Sequence, residues 1–106
     1  MTMLTTDQID NYRNRGYISP VSALTSNEAK EIREEIEKIE KNWPGALDGI
    51  NRNYIHLISP LLNKVCLNKN ILDSVESIIG KNILICGTTL FIKEKNEKGF
   101  VSFHQD

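Results

Sequence analysis

Cysteine is scarce. Cys66 and Cys86 are the only two in 106 residues, and neither a CxxC pair nor a histidine at zinc-finger spacing accompanies them. A zinc ribbon is therefore excluded, and of the two readings that remain, one Cys66–Cys86 disulfide or two free buried thiols, the free thiols are expected. No charge of one sign dominates: 13 Lys and Arg stand against 14 Asp and Glu, a formal net charge of -1. The basic field that nucleic acid or an anionic membrane would need is missing. No apolar run reaches the length of a bilayer span, and MTMLTTDQIDNYRNRG lacks the basic-then-apolar order of a signal peptide, so a cytoplasmic location is expected. There is no internal repeat, no phosphate-binding glycine loop and no Ser, His and Asp arrangement of a hydrolase. The composition, 40% hydrophobic and 25% charged, is that of one small globular domain, and a small molecule is the partner class that remains.

What is present begins with helix starts. Thr5 and Gln8 have the spacing of a capping box, with Leu4 and Ile9 as a hydrophobic staple, and Gly16 is a natural stop before the extended Tyr17, Ile18 and Pro20. A second box at Thr25 and Glu28 opens the clearest helix. Its apolar residues Ala29, Ile32, Ile36, Ile39 and Trp43 recur three and four apart, which makes one apolar stripe, and Pro44 with Gly45 ends it. Ser59 before Pro60 is an N-cap and first-turn pair for LLNKVC, and Asn68 recaps a further helix that Gly80 closes.

Between these helices, Gly45, Asp48, Gly49, Asn51 and Asn53 mark an irregular connection. His56, in NYIHLIS, has no acidic or histidine neighbour at ligand spacing and reads as a packed or hydrogen-bonded side chain rather than a metal ligand. After Gly80 the pattern changes. NILICGTTLFI is apolar at nearly every residue and rich in β-branched types, which predicts a strand covered on both faces inside a larger sheet. The charged KEKNEKG reads as a solvated turn, and FVSFHQD as a second strand pairing back on the first.

In that second strand the alternation of side chains puts Phe100, Ser102, His104 and Asp106 on one face and Val101, Phe103 and Gln105 on the other. One imidazole and one carboxylate, two residues apart on one face, can reach a single divalent ion. With a second imidazole from elsewhere they would form the facial arrangement that suits non-haem Fe(II) and leaves three positions open. The motif is short and also occurs by chance as a surface pair at a strand end.

Its context adds to it. LTTDQIDNYRNRGYI, LTSNEAKEIREEIE, ILDSVESIIGKNIL, LFIKE and FVSFHQD, in this order, resemble the phytanoyl-CoA dioxygenase family of Fe(II)- and 2-oxoglutarate-dependent oxygenases, over nearly the whole chain except residues 44–58. The resemblance implies an α+β fold in which N-terminal helices pack on the first strands of an incomplete double-stranded β-helix, a jelly-roll or cupin-like barrel. It implies one N-terminal portion of an oxygenase domain over residues 1–106, helical over 1–80 and a β-hairpin over 82–106, with the C-terminal part of the domain missing.

By the same resemblance His104 and Asp106 match the family's first two iron ligands, and Gln105 a glutamine that helps line the cosubstrate site. Lys93 stands where the family often has a lysine. Fe(II) and 2-oxoglutarate are then the implied cofactor and cosubstrate, a small organic molecule and O2 the partners, and hydroxylation the reaction. Asp106 argues against halogenation, since halogenating relatives lack that carboxylate. The second histidine and the basic residue for the far carboxylate of 2-oxoglutarate are absent, so the chain as given is expected to be inactive. The rival expectation is a helical protein-interaction module, docking through the stripe of residues 25–42, or a degenerate fragment without metal.

Overall fold

The computed structural model describes residues 3–104, in which four α-helices follow one another: α1 (Thr6–Arg15), α2 (Ser26–Asn42), α3 (Pro60–Cys66) and α4 (Lys69–Ile79). Each starts where its cap is written. Thr5 Oγ1 accepts from the Gln8 amide at 3.2 Å while Gln8 Oε1 accepts from the Thr5 amide at 2.9 Å. Thr25 and Glu28 repeat the exchange on α2, with Glu28 Oε2 accepting from the Thr25 amide at 2.7 Å. These boxes satisfy amides that the first turn of a helix leaves without intrahelical partners. Ser59 caps α3 through the Leu62 amide, and Asn68 Oδ1 accepts from the Asn70 and Ile71 amides at the start of α4. Gly16 ends α1 at φ 81°, a left-handed conformation that costs glycine nothing.

The connection between α2 and α3, which looked merely irregular, contributes two core residues. Two 3-10 turns, Gly49–Arg52 and Ile55–Leu57, fold it back beneath α2. Leu47 and Ile55 from this segment join Ile39 of α2 and Leu62 of α3 in the buried cluster, and Ile32, Ile36, Ala46 and Leu90 pack against it. The middle of the apolar stripe of α2, Ile32, Ile36 and Ile39, is thus used inside the chain, while Ala29 and Trp43 are exposed. Arg52 Nε donates to the Leu47 carbonyl at 2.8 Å and holds the connection in shape. At the other end, Leu4 is buried and its amide donates to Ser77 Oγ of α4 at 3.2 Å, while Asn70 Nδ2 donates to the Ala23 carbonyl. α4 therefore carries the N-terminal segment, and α2 with α3 carries the main core.

The expected β-structure is corrected. Among the described residues there is no strand, sheet or barrel, and the α+β fold with helices on an incomplete double-stranded β-helix is replaced by a helical body with an extended C-terminal arm, residues 82–104. One isolated antiparallel bridge, Asn53 with Thr89, joins arm to body. Two backbone bonds flank it: Tyr54 N–H to the Thr88 carbonyl at 2.6 Å and Leu90 N–H to the Arg52 carbonyl at 2.9 Å. The physical reason is a missing neighbour. A ladder needs a partner segment of comparable length, and between its two 3-10 turns the body leaves only Asn53 and Tyr54 in an irregular stretch to meet the arm. Half-buried and exposed residues alternate in two runs, residues 83–86 and 88–92, which are out of phase because Cys86 and Gly87 are both exposed. The cover expected on both faces is absent: Leu84, Cys86, Thr89 and Phe91 are exposed. The hairpin over 82–106 is likewise not formed within the described residues; Asn96, at φ 67°, marks a turn with no paired strands on either side.

Both cysteines are free, as expected, but neither is buried: Cys66 is half-buried and Cys86 exposed on the arm's outer face. No helix of the described residues is long and apolar enough to cross a membrane.

Candidate functional site

The arm carries the residues on which the chemistry would depend. His104 is exposed, and its Nδ1 lies 2.9 Å from the Ser102 carbonyl oxygen. A carbonyl can only accept, so Nδ1 is the donor in this contact, and a neutral ring so engaged has its lone pair on Nε2. This is the tautomer that a metal-ligating imidazole adopts when its other nitrogen donates to a backbone carbonyl. The donor chemistry of His104 therefore fits a divalent metal. Asp106 and Gln105 lie outside the described residues. Among the described residues no group of three His, Cys, Asp or Glu side chains converges on a point where a metal could be held.

The two-faced placement read from strand alternation does not extend to this end of the arm. Phe100, Val101, Ser102, Phe103 and His104 are all exposed, so no body lies against either side to distinguish the faces.

His56 is held differently. Its Nδ1 is 2.7 Å from Thr88 Oγ1, and its backbone N–H donates to the same oxygen at 3.4 Å. It is a half-buried, hydrogen-bonded side chain, as its apolar neighbours led one to expect. The sequence gave no hint of Thr88 as its partner, because the pair is separated by a helix, a connection and another helix. Tyr54 stands beside it with ring centroids 6.5 Å apart.

Lys93 lines a cleft of about 330 Å3 with Arg52, Leu90, Phe91, Glu97 and Phe100. The residue that sequence reading missed here is Arg52. Lys93 and Arg52 face a common space with one carboxylate, Glu97, whose Oε2 is engaged by the Glu94 amide at 3.1 Å. A second cleft, about 570 Å3, is apolar, walled by Ile39, Trp43, Ala46, Ile50 and Ile58, with Asn51 and Asn53 at its margin.

The resolved shifts in proton affinity both lie on α2. The Thr25 backbone amide, and then its hydroxyl, hold the Glu28 carboxyl below the ordinary value, and the Glu37 carboxylate raises Arg33 through their hydrogen bond at 2.7 Å. Both belong to helix stabilisation rather than to a reacting group.

No protein-family model, curated protein or solved structure matches the chain. The likeness to the phytanoyl-CoA dioxygenase family therefore rests on the sequence segments themselves.

Proposed function

We propose that this chain contributes part of the iron site of an Fe(II)- and 2-oxoglutarate-dependent oxygenase that hydroxylates a small organic substrate, with His104 and Asp106 as two of the protein ligands. The observation that carries the reading is the contact of His104 Nδ1 with the Ser102 carbonyl at 2.9 Å, the kind of backbone contact that orients a metal-ligating imidazole. An imidazole and a carboxylate two residues apart form a donor set suited to Fe(II), and His56, engaged with Thr88, is not the second imidazole. When bound, the iron would supply the oxidising chemistry for C–H hydroxylation with O2 and 2-oxoglutarate.

The work of this chain's own residues is to hold and to neutralise. His104 and Asp106 would hold the metal, one neutral donor and one charged. Arg52 and Lys93, in a cleft that also presents Leu90, Phe91 and Phe100, offer cationic charge to a carboxylate-bearing cosubstrate. Gln105 would line the cosubstrate site. No proton transfer by a side chain of this segment is needed.

The rival reading, docking through the stripe of α2, keeps only the ends of that stripe: Ile32, Ile36 and Ile39 pack on the cluster of Leu47, Ile55 and Leu62, while Ala29 and Trp43 stay exposed.

The test is a titration with Co(II), a paramagnetic substitute for Fe(II), followed through the imidazole nitrogens by NMR. Selective broadening of His104, abolished by Asp106→Ala, with His56 unaffected, is the expected result. Equal broadening of both rings, or none at either, would refute the reading. With two protein ligands, affinity should be weak and turnover of 2-oxoglutarate absent.

A further inference from the structure

The cleft of Arg52 and Lys93 holds its charges at fixed places. Arg52 is anchored twice: its Nε donates to the carbonyl of Leu47, a residue 2% exposed, and its own carbonyl accepts the Leu90 N–H at 2.9 Å. The bond that docks the arm at Leu90 therefore also brings the nearby Lys93 to the same cleft. Glu97 is fixed from the far side. The turn from Glu94 to Glu97 is closed reciprocally: the Glu97 N–H donates to the Glu94 carbonyl at 3.2 Å, and the Glu94 N–H donates to Glu97 Oε2 at 3.1 Å. The other carboxylate oxygen, Oε1, lies where a Cβ on Gly99 would stand 3.3 Å away, so the absence of a side chain at Gly99 gives the carboxylate its room.

Held in this way, Glu97 lines the cleft without neutralising it. Among the described residues it forms no ion pair, and neither do Arg52 and Lys93. Two cations and one tethered carboxylate leave the cleft a single net positive charge. From this arrangement we infer that Glu97 is the residue that sets which anions the cleft accepts, favouring one carboxylate group over a tetrahedral dianion such as sulfate or a phosphate. The inference deepens the reading of the cleft as the seat of a carboxylate-bearing cosubstrate and rests on it. A unit charge about 4 Å away changes the binding of a monoanion by about fivefold in water, and that of a dianion by about the square of this, about 25-fold. A carboxylate is answered by the net charge present, whereas a dianion brings a second negative charge against Glu97 with no third cation to meet it. The rest of the wall, Leu90, Phe91, Ile92, Phe100 and Val101, is apolar, and desolvation there costs a dianion more than a carboxylate.

The test is a titration of the metal-free chain with acetate and with sulfate at constant ionic strength, followed by NMR of the Arg52 and Lys93 side chains. In the wild type both side chains should respond to acetate, and sulfate should bind no tighter than acetate. Glu97→Gln keeps an oxygen for the Glu94 N–H and removes the charge. It should raise the affinity for acetate by about fivefold and for sulfate by about 25-fold, with the Leu90 amide, which reports the docking of the arm, unshifted. Glu94→Gln removes a neighbouring charge that does not line the cleft, and should leave the ratio of the two affinities as it is in the wild type. Sulfate binding tighter than acetate in the wild type, an equal gain for both anions in Glu97→Gln, or the same change of ratio in Glu94→Gln would overturn the role of Glu97 and leave the carboxylate seat in place. No response of Arg52 or Lys93 to either anion would overturn that role together with the seat, while the iron ligands, read separately through His104 and Co(II), would be untouched.

Discussion

Thr88 and His56 are joined through a single oxygen: Thr88 Oγ1 lies 2.7 Å from the His56 ring nitrogen Nδ1 and accepts the His56 backbone N–H at 3.4 Å. With the neighbouring Tyr54 and Leu90 backbone bonds and the Thr89 hydroxyl on Asn53 Oδ1 at 2.8 Å, this pair fastens the helical body to the arm that bears His104.

Thr88→Val keeps the shape of the side chain and removes the oxygen. The expected cost is about 1 kcal/mol, the usual worth of a part-buried hydrogen bond. It should appear locally, as faster exchange of the Leu90 amide, while α2 and α4 keep their protection. Unchanged exchange at Leu90 would mean that the hydroxyl does not fasten the arm.

Leu62 is the residue of α3 in the main core, 4% exposed and packed with Ile39, Leu47 and Ile55. Leu62→Ala should lower unfolding free energy by about 2 to 5 kcal/mol, enough to unfold much of so small a core. Chemical denaturation followed by circular dichroism measures it, and a loss under about 1 kcal/mol would show that the site collapses around the gap.

The Thr25 and Glu28 box gives α2 a pH dependence of known sign. Because hydrogen bonding lowers the folded-state pKa of Glu28, its contribution is present above the ordinary glutamate pKa and is lost as pH falls through the lowered value. Helix content should decline in that acid range, and Glu28→Gln should remove this part of the titration. Separately, Thr25→Ala should cost about 1 kcal/mol as a lost N-cap. An NMR titration showing Glu28 at or above the ordinary value would contradict the sign.

If the cleft of Arg52 and Lys93 receives the carboxylate of 2-oxoglutarate, Lys93→Ala and Arg52→Ala should each weaken its binding, by about tenfold for a lost charge-assisted contact. Isothermal titration with 2-oxoglutarate, and with succinate for comparison, reads this directly. Arg52→Ala also removes the bond to the Leu47 carbonyl, so Lys93→Ala is the cleaner variant. Equal affinity in the wild type and Lys93→Ala would remove the cleft from the cosubstrate site.

Local signals in the sequence determined the helices. Thr5 with Gln8, Thr25 with Glu28, Ser59 with Pro60, Asn68, Gly16 and Gly80 act within one turn of the chain, and a capped start or a glycine stop needs no distant partner to be effective. The apolar, β-branched character of residues 82–92 is written in the sequence, but the strand it predicts is not formed, and the pattern of burial changes phase at Cys86 and Gly87. Tertiary structure decided what the extended segment pairs with. A strand becomes a sheet only where a second segment offers a ladder, and here the body leaves only Asn53 and Tyr54 between its two 3-10 turns, so a single bridge at Thr89 stands where a hairpin was expected. It decided, too, that the irregular connection supplies Leu47 and Ile55 to the core, and that Thr88 meets His56. Those contacts join residues far apart in the chain, and no local pattern encodes which of the many apolar or hydroxyl side chains will be the partner.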